Sequence, residues 1–158
     1  IISSPLILSL DVNNDTVMDE LWPIISNTEA IAVNQAWAGH SGSSFQRSPR
    51  TIRVTYCAEW PMFPGKCRIV HYKTPSWEYF YKPLGSNKVA VLLMNHDSSP
   101  QDLALHYKDI PGIECPDEAL GAVQVRDVWE HKNIVEANHP LHGTDVLNVQ
   151  VEPHDTAF

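Results

Sequence analysis

The chain has 158 residues, 43% of them hydrophobic and 19% charged, and a formal net charge of −8. That composition excludes intrinsic disorder and allows one domain, or one small domain plus part of another. The acidic balance, with no Lys/Arg cluster, argues against nucleic acid and anionic membranes as partners, and no apolar run is long enough to form a membrane span.

Two regimes follow in chain order. The first runs over residues 1–42. It opens on an apolar run, Ile1 to Leu10, in which Ser4-Pro-Leu-Ile-Leu-Ser-Leu10 is continuous rather than alternating. That pattern predicts a strand buried on both faces, as in a parallel sheet. The run has no cap or lead-in and reads as cut from something longer. A polar turn, Asp11-Val-Asn-Asn-Asp15, comes next. Thr16-Val-Met-Asp19 resembles a capping box with Asp in place of Glu. Val17, Leu21, Ile24 and Ile25 recur at helical spacing, with Pro23 interrupting or kinking the helix. Thr28 to Asn34 predicts a second short helix. The unit is one βα repeat without a sheet. A buried parallel-type strand needs neighbours for its backbone and both faces, so this segment demands a partner that the chain does not contain.

The second regime, residues 43–158, reads as all-β. Runs at Thr51–Tyr56, Arg68–Tyr72, Trp77–Pro83, Lys88–Asn95, Asp102–Tyr107, Ala122–Trp129 and Val146–Glu152 predict short strands. Leu84-Gly-Ser-Asn87, His96-Asp-Ser-Ser-Pro100 and His139-Pro-Leu-His-Gly143 supply turns between them. The spacing predicts antiparallel hairpins in a sandwich. Leu147, Val149 and Val151 alternate with Asn148, Gln150 and Glu152, so one face of that strand points inward. The run Val89 to Met94 is apolar on both faces and predicts a central strand.

Cys57 and Cys67 flank a Pro/Gly-containing loop, Glu59 to Gly65, and are a disulfide candidate in an oxidising compartment; two reduced thiols are the alternative. Cys115 is left over. Asn14-Asp15-Thr16 is an N-glycosylation sequon, with Asn14 the acceptor, although Asp15 or Thr16 can equally cap the next helix. His131, His139 and His142 lack paired ligand spacing and predict no metal site. Trp60, Trp77, Tyr79 and Tyr81 could stack on a sugar, but Trp77, Tyr79 and Tyr81 fit better as one packed strand face. No phosphate loop, nucleophile elbow or Cys/His dyad is present, and no cofactor is expected.

Several stretches carry a family resemblance. Ser4 to Asp11 resembles the eighth barrel strand of glycoside hydrolase family 27, the α-galactosidases and α-N-acetylgalactosaminidases. Asn27-Thr-Glu-Ala-Ile-Ala-Val-Asn-Gln35 is similar to that family's Asn-x-Glu-x-Ile-Ala-x-Asn-Gln motif. Tyr79 to Asn95 resembles the first long hairpin of its C-terminal domain, Val125-Arg-Asp-Val-Trp129 its Arg-Asp-Leu-Trp strand, and Val151 to Ala157 its closing strand. The matches fall in family order. Departures occur at Ala36-Trp-Ala-Gly39, where the family reads Asp-Pro-Leu-Gly, and at Asp155, where it has Gly. The Cys57–Cys67 loop lies outside the common pattern, and the final strand is expected to run past Phe158.

The resemblance implies a mostly β chain: the last βα unit of a (β/α)8 barrel (1–42), then a Greek-key-like antiparallel β-sandwich (43–158). It implies a retaining hydrolase of terminal α-galactosyl residues whose two catalytic aspartates precede Ile1, so no catalytic residue is assigned here. Asp11, at the end of the presumed strand, is the substrate-proximal candidate, with helix-preceding turn as its other reading. Asn34 and Gln35 are expected to tie the helix to the barrel or linker. The implied partners are the remainder of the barrel and a galactoside-type carbohydrate, and the β domain could support a homo-oligomer. The implied location is secreted, extracellular or a lysosomal or vacuolar lumen. The alternative is a non-catalytic carbohydrate-binding or structural component that has kept the hydrolase fold.

Overall fold

A computed structural model describes residues 1, 3–60, 63–113, 123–135 and 142–158. Two helices come first, α1 (Asp15–Ile25) and α2 (Thr28–Gln35). The strands follow as β1 (Ser43–Arg47), β2 (Thr51–Trp60), β3 (Phe63–Pro75), β4 (Trp77–Gly85) and β5 (Lys88–Asn95). After them come β6 (Gln101–His106), β7 (Val125–Asp127), β8 (Lys132–Val135), β9 (Val146–Val151) and β10 (Thr156–Ala157). The mostly β character matches the patterning, and β5 coincides with its expected bounds.

The main sheet runs β1-β4-β5-β10, all antiparallel, so the doubly apolar β5 is internal as its pattern predicts. A second pair, β6-β9, packs across one face. Tyr79 and Leu93 from the first layer meet Leu103, Leu105 and Val151 from the second, with Tyr107 and Ile110 closing the cluster. Burial of each such side chain is worth about 1.5–3 kcal/mol. In β9 the expected alternation holds: Leu147, Val149 and Val151 are covered, while Asn148 and Gln150 are exposed.

Local chemistry sets the connections. Ser86 and Asn87 both take positive φ, 52° and 58°, the left-handed pair of a two-residue hairpin turn between β4 and β5. Asn95, fully buried, ends β5 as a hub. Its amide nitrogen donates to the carbonyls of Ser99 (2.9 Å), Val151 (3.0 Å) and Glu152 (3.0 Å), and its Oδ1 accepts from the Asp97 amide (2.9 Å). One side chain thus holds the 96–100 turn to β9.

Five expectations change. Residues 3–9 form no strand, and Leu6, Ile7 and Leu8 are 63%, 83% and 56% exposed. A strand exists only when its backbone is paired, and nothing described in this chain pairs with it. The cap of α1 is Asn14, whose side chain accepts from the Val17 amide at 3.3 Å, rather than Thr16. Pro23 lies inside α1 without ending it. The expected loop 59–65 is largely strand: β2 and β3 are one long hairpin. Of the strand expected over 122–129, only Val125–Asp127 forms, and residue 122 lies outside the described residues.

β1 with β2, and β3 with β4, make one bent ribbon. Its inner half belongs to the main sheet and its outer half to the β2-β3 hairpin. At the bend, Ser76 Oγ donates to Ser48 Oγ at 2.8 Å, both residues being buried.

Candidate functional site

Among the described residues, a dense polar site lies at the junction between α2 and the β layers. Asn27 is the N-cap of α2: its Oδ1 accepts from the amides of Glu29 and Ala30, each at 3.0 Å, as helix starts require. It is buried, and its Nδ2 donates to the Val128 carbonyl at 2.9 Å. Two residues on, Glu29 takes a two-pronged contact from Arg126: Nε to Oε2 and Nη2 to Oε1, both 2.7 Å. His131 Nδ1 stands 2.9 Å from the same Oε1. The Arg126 guanidinium first, and His131 second, hold the Glu29 carboxyl down to about 2. Two segments about a hundred residues apart, 27–35 and 125–131, thereby clasp each other.

The other end of α2 is held from the sheet. Lys82 lies on β4, on the face opposite Tyr79, and is fully buried. Its Nζ donates to the carbonyls of Val33 (2.5 Å) and Asn34 (2.9 Å). Those carbonyls belong to the last turn of α2 and have no partner within the helix, and the helix dipole favours a cation there. Burial pushes the Lys82 ammonium below the usual lysine range. Its cross-strand neighbour is Ala90, a buried small residue that leaves room for the long side chain. Asn34 Nδ2 in turn donates to the Ser4 carbonyl at 2.9 Å. The tying role expected of Asn34 is what the structure has; Gln35 lines a cleft of about 490 Å³ together with Ser4, Pro5, Leu6 and Trp37.

The predicted sites are not gathered in one place. Asp11 sits in an exposed turn before α1, where its Oδ1 accepts from the Asn13 amide at 3.0 Å and its carbonyl from the Asn14 amide at 3.1 Å. Asn14 is exposed and caps α1. Cys57 and Cys67 are joined in a disulfide with Cα atoms 5.4 Å apart, across β2 and β3. Trp77 stacks on Tyr79 at 4.5 Å, and Tyr79 and Tyr81 both pack on Phe45. These aromatics are the packed strand face, and Trp60 belongs to the separate β2-β3 hairpin. Among the described residues no three His, Cys, Asp or Glu side chains are arranged to hold a metal ion. His139 and Cys115 lie outside the described residues.

Sequence reasoning missed Lys82 and Arg126 as junction residues. A signal existed for Lys82, the single cation in the apolar run Trp77 to Leu84 on the side opposite the core aromatics. Arg126 falls in the Val125–Trp129 motif, but nothing local names its partner, which is 97 residues away.

Comparison with known proteins bears on this junction. The profile of the α-galactosidase C-terminal β-sandwich domain matches residues 74–158. The chain is 28% identical over 155 residues to α-galactosidase 3 of Arabidopsis thaliana, covering 98% of this chain and 28% of that protein. It is 29% identical over 128 residues to an α-galactosidase of Cyamopsis tetragonoloba, covering 81% of this chain and 23% of that one. The chain therefore spans less than a third of the length of these relatives. Among solved structures, α-galactosidase I from Mortierella vinacea has a TM-score of 0.64 at 22% identity, over 98% of this chain and 31% of its own. The Saccharomyces cerevisiae enzyme, solved with raffinose, has a TM-score of 0.65 at 18% identity, over 99% of this chain and 39% of its own.

Proposed function

Because the chain belongs to the α-galactosidase C-terminal β-sandwich family, we propose that it is the C-terminal part of a retaining glycoside hydrolase that removes terminal α-galactosyl residues. In this reading the two catalytic aspartates lie on earlier barrel strands, about 5–5.5 Å apart as retention requires. Residues 1–42 close the barrel, and residues 43–158 form the domain that holds the closing helix in place. The observation that carries the reading is the clasp on α2, from Asn27 and Glu29 at one end and Lys82 at the other. It fastens two of the stretches, 27–35 and 125–129, that resemble the family. The exposed apolar side chains Leu6, Ile7, Leu8, Trp22 and Trp37 fit the same reading. In this reading neighbouring barrel elements would cover them.

Asp11 is assigned to the sugar-proximal rim, because barrel active sites form at the C-terminal ends of strands. No cofactor is invoked. The Cys57–Cys67 disulfide and the Asn14 sequon fit a secreted or vacuolar or lysosomal protein. The test is hydrolysis of an aryl α-galactoside by the intact protein, with the anomer of the released sugar followed by NMR. Release of galactose with retained configuration is expected. Binding without hydrolysis would instead assign the protein a non-catalytic carbohydrate-binding role.

A further inference from the structure

Asn14-Asp15-Thr16 is the single sequon of the chain, and the fold puts it at the start of α1. All three residues are exposed. The two polar atoms of the Asn14 side-chain amide are used differently. Its Oδ1 accepts from the Val17 amide at 3.3 Å and so caps the helix. Its Nδ2 has no partner among the described residues. The Asn14 backbone is extended, with φ −91° and ψ 99°, and its own amide donates to the Asp11 carbonyl at 3.1 Å. The residue thus stands on an ordered, exposed turn with one side-chain donor unused.

Capping and N-glycosylation make compatible demands on this one side chain. Capping uses only the carbonyl oxygen. N-glycosylation uses only the amide nitrogen and leaves the carbonyl in place, so a glycosylated Asn14 still caps α1. Asp15 is not proline, and Thr16 supplies the hydroxyl that completes the acceptor signal. A bulky hydrophilic group at an exposed turn displaces no packed side chain. A second observation sets the compartment. Cys57 and Cys67 are joined, and disulfides persist where thiols are oxidised, in the secretory lumen and outside the cell. N-linked sugars are attached in that same lumen.

We infer that Asn14 carries an N-linked oligosaccharide through Nδ2 and caps α1 through Oδ1 at the same time. In the transfer, Nδ2 attacks the anomeric carbon of an oligosaccharide linked to a lipid diphosphate. A C–N bond forms and the C–O bond to the diphosphate breaks. The diphosphate leaves with the electron pair, and Nδ2 gives up one proton to the transferase. Asp15 and Thr16 lie in the first turn of α1, so the transfer precedes closure of the helix, and the cap forms with the sugar already attached. The inference rests on the luminal location proposed above and not on hydrolysis.

The test is peptide mass spectrometry of the intact protein from its native source, before and after a peptide-N-glycanase in heavy-oxygen water. An oligosaccharide mass is expected on the peptide that contains Asn14, and its release should convert Asn14 to heavy-labelled Asp. The same digest, left unreduced, reports whether Cys57 and Cys67 are joined. Variants of the intact protein made in a eukaryotic secretory host separate the two uses of the side chain. Thr16→Ala should lose the glycan and keep at least the Tm of the enzymatically deglycosylated protein. Asn14→Ala should lose the glycan and also lower Tm, because the cap goes with it. A bare Asn14 beside an intact disulfide overturns the proposal and leaves the location standing. A bare Asn14 beside two free thiols overturns both. Glycan loss with the same Tm in the two variants overturns the shared use of Asn14.

Discussion

Lys82 Nζ lies 2.5 Å from the carbonyl oxygen of Val33, so a sheet residue caps a helix 49 positions earlier in the chain. The ammonium is fully buried and forms no ion pair with a carboxylate among the described residues; its partners are the Val33 and Asn34 carbonyls. Lys82→Met keeps the apolar stem but leaves both carbonyls unsatisfied. Chemical denaturation should show a loss of about 2 kcal/mol at neutral pH. The sign with pH is also fixed. Burial lowers the folded-state pKa, so the unfolded chain holds its proton to higher pH. Stability therefore rises as pH climbs from the folded pKa towards about 10.4, the unfolded value. The variant should lack that rise; an identical rise in both proteins would remove Lys82 as its source.

Glu29 answers at the other end of α2 and in the other pH window. Its carboxyl is held at about 2 against an ordinary 4.5, chiefly by Arg126. A depressed carboxylate stabilises fully above the unfolded value and loses that effect as pH falls through the folded one. Glu29→Gln should therefore lower Tm at pH 6, and the gap from the unmodified protein should close as pH falls from about 4.5 to about 2. A gap unchanged by pH would mean that packing, not charge, does the holding.

Asn95 tests a buried hub rather than a junction. Three carbonyls converge on its amide nitrogen, so Asn95→Asp sets a carboxylate oxygen against them. The loss should exceed that of Asn95→Ala, which itself should cost about 2–3 kcal/mol through unsatisfied groups and a small cavity. Equal losses for the two variants would show that shape alone matters there.

The β layers were legible in the sequence because their signals are local. The alternation of Leu147, Val149 and Val151, the Ser86-Asn87 turn and the doubly apolar run of β5 each depend on neighbours a few residues away. The short strands β1, β8 and β10 were not, since each exists through a distant partner or a tight turn. β10, for instance, has only Thr156 and Ala157, paired to Met94 and Leu93. The apolar run 1–10 read as a strand by pattern yet has no strand here, because pattern reports burial and a strand needs a paired backbone. The tying role of Asn34 was legible, but its counterparts Lys82 and Arg126 act over 48 and 97 positions, beyond any periodicity.

Asp11 separates a structural from a functional carboxylate. Its Oδ1 accepts from the Asn13 amide, a bond that Asn makes equally well. Asp11→Asn thus keeps the turn and removes only the charge, whereas Asp11→Ala removes both. If the charge stands near the sugar, Asp11→Asn should lower kcat/KM of the intact protein on an aryl α-galactoside by about tenfold, equivalent to about 1.4 kcal/mol of transition-state stabilisation. Its Tm should stay within a degree or so of the unmodified protein, while Asp11→Ala loses both activity and stability. Full activity in Asp11→Asn with a lowered Tm in Asp11→Ala would assign the residue to the turn alone. The comparison is decisive because the two roles use different properties of one side chain: the turn needs an acceptor oxygen, and the sugar rim needs the charge.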